Sequence, residues 1–154
     1  MGRKLDLLIP PPVVGLVCGL AMWGIASAMP ALCFAFPLQT TLAAVLIVAG
    51  LALDMAAIGA FWKAKTTVTP LAPEKASSLV VEGLYRFTRN PMYLGLLLIL
   101  SGLAILLGSP VSMIVLAVFV AYITAFQIKP EEARLQEVFG ADYLAYMKRV
   151  RRWL

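Results

Sequence analysis

Two long stretches without a single charged residue dominate this sequence, at positions 7–53 and 90–128. A helix that crosses the hydrocarbon core of a bilayer needs about 20 apolar residues, so each stretch is too long for one crossing and suits two. Overall, 62% of the residues are hydrophobic and 14% are charged, which is more apolar surface than a soluble domain of this size could bury. We therefore expect an all-α integral membrane protein of about four transmembrane helices, with residues 1–154 forming one domain.

Helix-breaking residues divide each uncharged stretch in two. Pro30 and Pro37 interrupt the first stretch, and Gly108, Ser109 and Pro110 interrupt the second. The predicted helices span about 12–29, 39–62, 91–108 and 110–128. The last two are joined by almost nothing and should form a tight antiparallel hairpin. A short basic start and three prolines precede the first helix in place of a signal-peptide core, so we expect this helix to be retained.

The basic residues are distributed on one side of the predicted bundle. All 13 Lys and Arg residues lie at the N-terminus, in the 63–89 connection or from Lys129 onward, and none lies near the hairpin tips. The positive-inside rule then places both termini and the central connection in the cytoplasm. Anionic lipid head groups explain the net charge of +5 more simply than nucleic acid does, so the membrane is the expected partner.

The segment that follows Lys129 has a different character from the four apolar helices. Its apolar residues recur at helical spacing with charged residues between them. This pattern predicts an amphipathic helix that lies against the cytoplasmic ends of the bundle or in the membrane interface, with an interruption at Gly140.

Missing residue types narrow the possible chemistry. The sequence has no histidine, which excludes Ser-His-Asp catalysis, the usual zinc ligand sets and haem ligation by His. Cys18 and Cys33 lie in apolar sequence without CxxC spacing, so we interpret them as small buried residues. No metal site is predicted.

The stretch GLYRFTRNPMYLG before the third helix is unusual for a connection. Pro91 suits the first turn of a helix, and Asn90 before it can cap that turn. Free backbone N–H groups at the helix start, together with Arg86 and Arg89, suit a carboxylate or a phosphate. Gly95, one turn further, would let a flat ligand approach the backbone. Two arginines that reach lipid head groups and an aromatic belt would explain the same residues without a ligand.

Acidic residues form a second group of candidates. Glu131 and Glu132 directly follow the fourth helix, and the hairpin returns them to the membrane face of Arg89. Such carboxylates could hold a zwitterion with hydroxyls, such as a nucleoside bearing an amino acid, although their effect on the helix dipole would also explain them.

Asp54 is the only ionisable residue well inside an apolar helix, about 13 Å before Lys63. A carboxylate at that depth is a functional candidate; a protonated Asp or a helix–helix hydrogen bond is the structural alternative.

The GLYRFTRNPMYLG stretch resembles the G-x-Y…R-[HN]-P-x-Y-x-G signature of a family of membrane methyltransferases. This family includes the isoprenylcysteine carboxyl methyltransferases and the phospholipid N-methyltransferases. From Glu131 onward the sequence is similar to the family's E-E…L…F-G-x-x-Y…Y pattern, and Arg152-Trp153 belong to the same ending. Together the motifs cover about residues 79–154, while residues 66–70 are similar to a stretch found in bacterial members. Asn90 stands where the eukaryotic isoprenylcysteine enzymes have His, and bacterial relatives have Asn there.

The resemblance implies S-adenosylmethionine as the cofactor, bound on the cytoplasmic side between the third-helix start and the tail. It also implies the inner membrane of a bacterium as the location. The residues implied to bind the cofactor are Arg89, Asn90, Pro91, Tyr93, Gly95, Glu131, Glu132, Tyr143 and Tyr146.

The resemblance further implies methyl transfer to a lipophilic or membrane-permeant carboxylate, thiol or amine. Displacement at a sulfonium methyl needs alignment more than strong acids or bases. Arg86 or Arg89 could steer an anionic acceptor, which needs no base. An amine or phenol acceptor would need a group that assists with proton transfer, for which Glu132, Tyr85 and Asp54 are candidates.

Three other interpretations remain open at this stage. A related reductase of lipid or sterol double bonds would need a nicotinamide cofactor, and the sequence has no G-x-G-x-x-G turn after a strand. A small four-helix transporter would use Asp54 as its proton-coupled carboxylate. A non-enzymatic membrane subunit would keep the fold alone.

Overall fold

The computed structural model describes residues 6–64 and 78–154, and this part of the chain is helical without strands. The 66–70 stretch lies outside the described residues. The described residues form five α-helices, one π-helical turn between α4 and α5, and two 3₁₀ turns. Their bounds are α1 Pro11–Ala28, the 3₁₀ turn Pro30–Leu32, α2 Gln39–Lys63, the 3₁₀ turn Gly83–Arg86, α3 Pro91–Leu107, α4 Ser112–Ile123, the π turn Thr124–Ile128 and α5 Lys129–Arg149.

The predicted bundle of membrane helices is confirmed. In the described residues, three helical stretches are long and apolar enough to cross a membrane: α1, α2 and the continuous run that begins with α4. The fourth apolar helix, α3, is shorter. The predicted ends of α1, α2 and α3 agree with the structure within one residue, whereas α4 begins at Ser112 and not at position 110. The chain is an integral membrane protein.

The π turn and Gly140 set the path of the last helical run. The π turn Thr124–Ile128 joins α4 to α5 without a break in the chain's helical course. Inside α5, Gly140 has φ 51° and ψ −121°, which is not a helical conformation. A positive φ is easily adopted by glycine, which has no Cβ. The predicted interruption at Gly140 is therefore confirmed.

Close backbone contact between α2 and α3 forms the centre of the bundle. A Cβ on Gly102 would lie 2.7 Å from Ile47 Cγ1 and 2.8 Å from the Ala43 carbonyl oxygen. A Cβ on Gly50 would lie 2.6 Å from the Gly95 carbonyl oxygen. Small residues at such contacts let two membrane helices approach closely, so the glycines fix the spacing of this antiparallel pair.

The hairpin between α3 and α4 is fastened to the chain that precedes α2. Gly108 ends α3 with φ 60°, and its carbonyl oxygen accepts a hydrogen bond from the Phe34 N–H at 3.0 Å. Gln39 Nε2 donates to the Ile105 carbonyl oxygen at 2.7 Å. These bonds satisfy carbonyl groups that the end of α3 leaves without helical partners.

At the opposite end of the bundle, the start of α1 meets the π turn and α5. The Leu7 N–H donates to the Phe126 carbonyl oxygen at 2.9 Å, and Gln127 Nε2 donates to the Ile9 carbonyl oxygen at 2.7 Å. A buried cluster that includes Ala57, Tyr85, Tyr143 and Tyr146 joins α2, the second 3₁₀ turn and α5 at this end. The starts of α1, α3 and α5 are therefore brought together with the end of α2.

The close α2–α3 contact predicts that two Gly→Ala substitutions differ in their effect on the stability of the bundle. Gly102→Ala should destabilise the bundle by about 1–3 kcal/mol, because the added Cβ overpacks the contact. Gly59→Ala, in α2 with no atom within 4 Å of the added Cβ, should be neutral or slightly stabilising. Thermal unfolding in one detergent measures both. Equal midpoints would show that the two helices do not approach as described.

Candidate active site

A cavity of about 560 Å³ lies at the end of the bundle where α1, α3 and α5 begin. Its wall contains residues 10–12, three residues in the second half of α2, residues 78–80, Tyr85, residues 89–93, Leu96, Ile128 and residues of α5 between positions 131 and 146. The volume falls in the range of small-molecule and cofactor sites. Most of the wall is apolar, so the few charged and hydroxyl groups in it decide what can bind.

Glu132 is held between two arginines beside the cavity. Arg152 donates from Nε to Oε1 at 3.0 Å and from Nη2 to Oε2 at 2.7 Å. Arg89 Nη2 lies 3.2 Å from the same Oε1, and the side chains of Arg89 and Glu132 are only 9% and 10% exposed. The hydrogen bonds to Glu132 raise the pKa of the Arg152 guanidinium. Buried charges need such pairing, and the bidentate geometry fixes the position of the carboxylate.

The C-terminal tail is also tied by its backbone to the start of α3. The Arg89 N–H donates to the Arg151 carbonyl oxygen at 3.0 Å. Asn90 Nδ2 and Thr88 Oγ1 donate to the Arg152 carbonyl oxygen at 2.8 and 3.3 Å. Asn90 occupies the N-cap position of α3, but its side chain makes no capping hydrogen bond. The expectation that Asn90 caps this turn is wrong, because the side-chain amide is engaged with the tail.

Arg89 has two hydrogen-bond donors that its contact with Glu132 does not use. Its Nε and Nη1 atoms are buried and have no hydrogen-bond partner, and the residue lines the cavity. Buried donors of a charged group are costly to leave unpaired, so they mark a place where an anionic ligand would be stabilised. Arg86 is exposed and is not part of the cavity wall. The two arginines of the motif therefore have different surroundings.

Two further predicted residues are joined across the cavity wall. The Tyr93 hydroxyl donates to Glu131 Oε2 at 2.9 Å, and both residues line the cavity. Pro91, in the first turn of α3, is fully buried and also lines it. The Glu131 carboxyl group is thus held in place by a neutral donor.

Besides Tyr93, three tyrosines and Phe61 are the aromatic residues of the wall. The Tyr146 hydroxyl donates to the Tyr85 carbonyl oxygen at 2.7 Å, and the Tyr143 and Tyr146 ring centroids lie 6.1 Å apart. The Tyr85 ring meets the edge of Phe61 with centroids 5.5 Å apart. Burial raises the pKa of the Tyr85 phenol, and nearby negative charge adds to the effect. Tyr85 therefore stays protonated and can donate a hydrogen bond to a ligand.

Asp54 and Gly95 are placed differently from what the sequence led us to expect. Asp54, treated as a separate candidate, lines the same cavity as Arg89. Gly95 does not line it: a Cβ at Gly95 would overlap Asp54 Oδ1 and would lie 2.8 Å from the Gly50 carbonyl oxygen. This corrects the expectation that a ligand lies on Gly95. The glycine instead makes room for the Asp54 carboxylate.

The structure brings together the other predicted site residues and adds two features that sequence reasoning missed. Arg152 completes the charged cluster, and Pro10, Pro11 and Pro12 form part of the wall. The Arg152-Trp153 pair in the tail pattern was a usable signal for the first. No sequence signal pointed to the prolines, because their contact with the cavity depends on how α1 packs.

The fold and the site together define a class of protein: an integral membrane bundle with a mostly apolar small-molecule cavity that holds a charged cluster at one end. A family model described as phospholipid methyltransferase matches residues 38–142, and the chain belongs to this family. The match starts at α2 and ends inside α5, so it begins earlier and stops sooner than the motif region at 79–154.

Curated relatives agree with this family. Protein-S-isoprenylcysteine O-methyltransferase B of Arabidopsis thaliana is 34% identical over 105 residues, which are 68% of this chain and 53% of that protein. Form A from the same plant is 34% identical over 106 residues, 69% of this chain and 54% of that protein. The chain thus spans about half the length of these relatives. An uncharacterised Haemophilus influenzae protein is 43% identical over 63 residues, 41% of this chain and all of that protein. No solved structure matches.

The charged cluster predicts that two neighbouring arginines differ in their effect on stability. Arg152→Gln should lower the free energy of unfolding by about 1–3 kcal/mol, because it leaves Glu132 with a single partner. Arg151→Gln, at an exposed side chain, should change it by less than about 0.5 kcal/mol. Thermal unfolding of the two variants in detergent is the measurement. A larger effect at Arg151 would contradict the role given to Arg152.

Proposed function

We propose that this protein transfers a methyl group from S-adenosylmethionine to a lipophilic acceptor at the cytoplasmic face of a bacterial inner membrane. The observation that carries the proposal is Arg89, which lines a cavity of about 560 Å³ and has two buried donors without a partner, Nε and Nη1. Membership of the phospholipid methyltransferase family and the names of the plant relatives support it.

The cavity wall suits the chemical groups of this cofactor. Arg89 Nε and Nη1 offer two donors to a carboxylate. Glu131, held by Tyr93, offers an acceptor for an ammonium group or ribose hydroxyls. Tyr143 and Tyr146 offer aromatic faces to an adenine ring or to a cation. Asn90 and Pro91 complete this side of the pocket.

Glu132, proposed from the sequence as a catalytic residue, is better suited to an indirect role. Both of its oxygens already face arginine donors, so it has little capacity left for a ligand. It fixes the position of the Arg89 guanidinium through the contact with Nη2 and leaves Nε and Nη1 without a partner. We therefore propose Glu132 and Arg152 as positioning residues for the Arg89 site.

Bound S-adenosylmethionine would supply a methyl group on a positively charged sulfur, which is already an activated leaving group. The protein then has to bind the cofactor, align the acceptor with the methyl group and exclude water. Arg89 and Glu131 would fix one part of the cofactor, and the tail would close the pocket around it. The neutral Tyr85 phenol would donate a hydrogen bond within the pocket. The acceptor's apolar part would enter from the bilayer between the helices.

Binding of S-adenosylhomocysteine tests the Arg89 site without any acceptor. We expect Arg89→Ala to raise the dissociation constant of S-adenosylhomocysteine about tenfold or more, because hydrogen bonds to charged groups contribute about 1.5–3 kcal/mol. Arg86→Ala is the matched control, since Arg86 is exposed and outside the cavity wall. Calorimetry in detergent measures both variants. Equal affinities for Arg89→Ala and the wild type would remove Arg89 from the site.

The proposed orientation has its own test. Reporter fusions in a bacterial host should show the C-terminus in the cytoplasm and the segment between α1 and α2 on the outer side. A fluorescent protein that matures only in the cytoplasm should be active after Leu154, and alkaline phosphatase should be active when fused after Phe36. The reverse pattern would contradict a cytoplasmic cofactor site.

A further inference from the structure

We infer that a groove on the outer side of α4 binds an anionic phospholipid, with an acyl chain along the helix and the negatively charged head group at Lys129. The groove shares no residue with the cavity of the candidate active site. The inference therefore goes beyond the proposed function and does not depend on it.

The groove runs along α4 and the π turn, where three alanines recur at every fourth position. Residues four apart lie above one another on a helix, so these small side chains form one continuous depression. Larger side chains form the row beside it. The alanine row is Ala117, Ala121 and Ala125, and the neighbouring row is Leu116, Val120 and Thr124.

Met113 and Lys129 lie at the two ends of the alanine row. They are 16 positions apart, which corresponds to about 24 Å along a helix. One leaflet supplies about half of the roughly 30 Å hydrocarbon core of a bilayer. The groove is therefore long enough for an acyl chain that starts at the level of Lys129 and ends near the middle of the membrane.

Lys129 carries a positive charge that the protein does not use. It is the first charged residue after the uncharged stretch 90–128, so it lies where the hydrocarbon core meets the lipid head groups. Its side chain is exposed, and within the described part of the chain it has no ion pair and no hydrogen bond.

The carboxylates nearest to Lys129 in sequence are engaged at the cavity. Glu131 accepts a hydrogen bond from Tyr93, and Glu132 is paired with two arginines. An unpaired cation at the end of an apolar groove complements a molecule that has a negatively charged head and an apolar chain. An anionic phospholipid has both parts, and basic residues at the membrane surface attract such lipids.

A second copy of this chain fits the groove less well, although rows of small residues also suit helix pairing. Copies in one membrane have the same orientation, so a symmetric pair would place α4 parallel to α4 of its partner. Each Lys129 would then lie at the same depth as its equivalent, and their like charges would repel. Charge thus favours the lipid.

The π turn connects the groove to the wall of the cavity. Thr124 and Ala125 line the groove, whereas Ile128 of the same turn lines the cavity. Gln127, between them, donates to the Ile9 carbonyl oxygen and so holds the start of α1. Turns of this kind inside α-helices are frequent at functional sites. A lipid in the groove would pack on a turn whose other side belongs to the cavity wall.

Native mass spectrometry of the full chain tests the head-group preference with phosphatidylglycerol and phosphatidylcholine that carry the same palmitoyl and oleoyl chains. We expect the wild type to retain phosphatidylglycerol preferentially. Lys129→Gln should weaken this binding about fivefold and leave phosphatidylcholine binding unchanged. Lys63→Gln is the matched control, because Lys63 is an exposed lysine at the end of α2 outside the groove. Equal losses in both variants, or no preference in the wild type, would overturn the inference.

A second pair of variants tests the groove without a change in charge. Ala121→Leu should weaken phosphatidylglycerol binding, because the larger side chain fills the depression. Ala49→Leu, at an exposed position of α2 outside the groove, should bind like the wild type. Unchanged binding by Ala121→Leu, or the same loss in Ala49→Leu, would show that no acyl chain lies along α4.

The same spectra report the oligomeric state of each variant. A wild-type dimer that Ala121→Leu dissociates would assign the groove to a second copy and overturn the lipid site. Because no cofactor is present in this experiment, a negative result for the lipid would leave the proposed methyl transfer unaffected.

Discussion

The contact between Glu132 and its two arginines is the interaction on which the site depends. It joins three parts of the chain that are far apart in sequence: the start of α3, the start of α5 and the C-terminal tail. Removing one partner of a buried ion pair leaves charge uncompensated, so the three parts are held together by more than apolar packing. Glu132 contacts Nη2 of the Arg89 guanidinium, while Nε and Nη1 remain without a partner beside the cavity that Arg89 lines.

A second constraint comes from the close approach of α2 and α3. Glycines at this contact bring the two backbones together, and the space at Gly95 admits the Asp54 carboxylate. The same contact that stabilises the bundle thus places an acidic group in the cavity wall. The cavity wall thus contains both a basic residue, Arg89, and an acidic residue, Asp54.

The sequence predicts the helices well because lipid imposes a simple rule on them. Charge-free runs of fixed length and the prolines that interrupt them mark the spans, so α1, α2 and α3 are predicted within one residue of their ends. The amphipathic pattern of the segment after Lys129 and the glycine at position 140 likewise predict the last helix and its kink. Residues of both motifs, which a hairpin separates, line one cavity, among them Arg89 and Glu131.

Other features could not be read from the sequence, because they depend on contacts between distant residues. Asn90 has the right position for a cap, but its amide binds the tail 62 residues away. Gly95 looked like a ligand contact and is instead a helix–helix contact. Arg152 belongs to a recognisable pattern, yet nothing in that pattern shows that it shares Glu132 with Arg89. Periodicity and spacing describe one element at a time, whereas these roles arise from packing between elements.

Hydrogen–deuterium exchange of the protein in nanodiscs, with and without S-adenosylhomocysteine, is the most direct test of the central claim that these segments form one cofactor site. We expect slower exchange on ligand addition in the 83–90 segment and in the tail from residue 140 to 154 together, because both border the Arg89 cluster. The segment between α1 and α2 should exchange as before. Unchanged exchange throughout, or protection confined to the α1–α2 connection, would contradict a cofactor site at this end of the bundle.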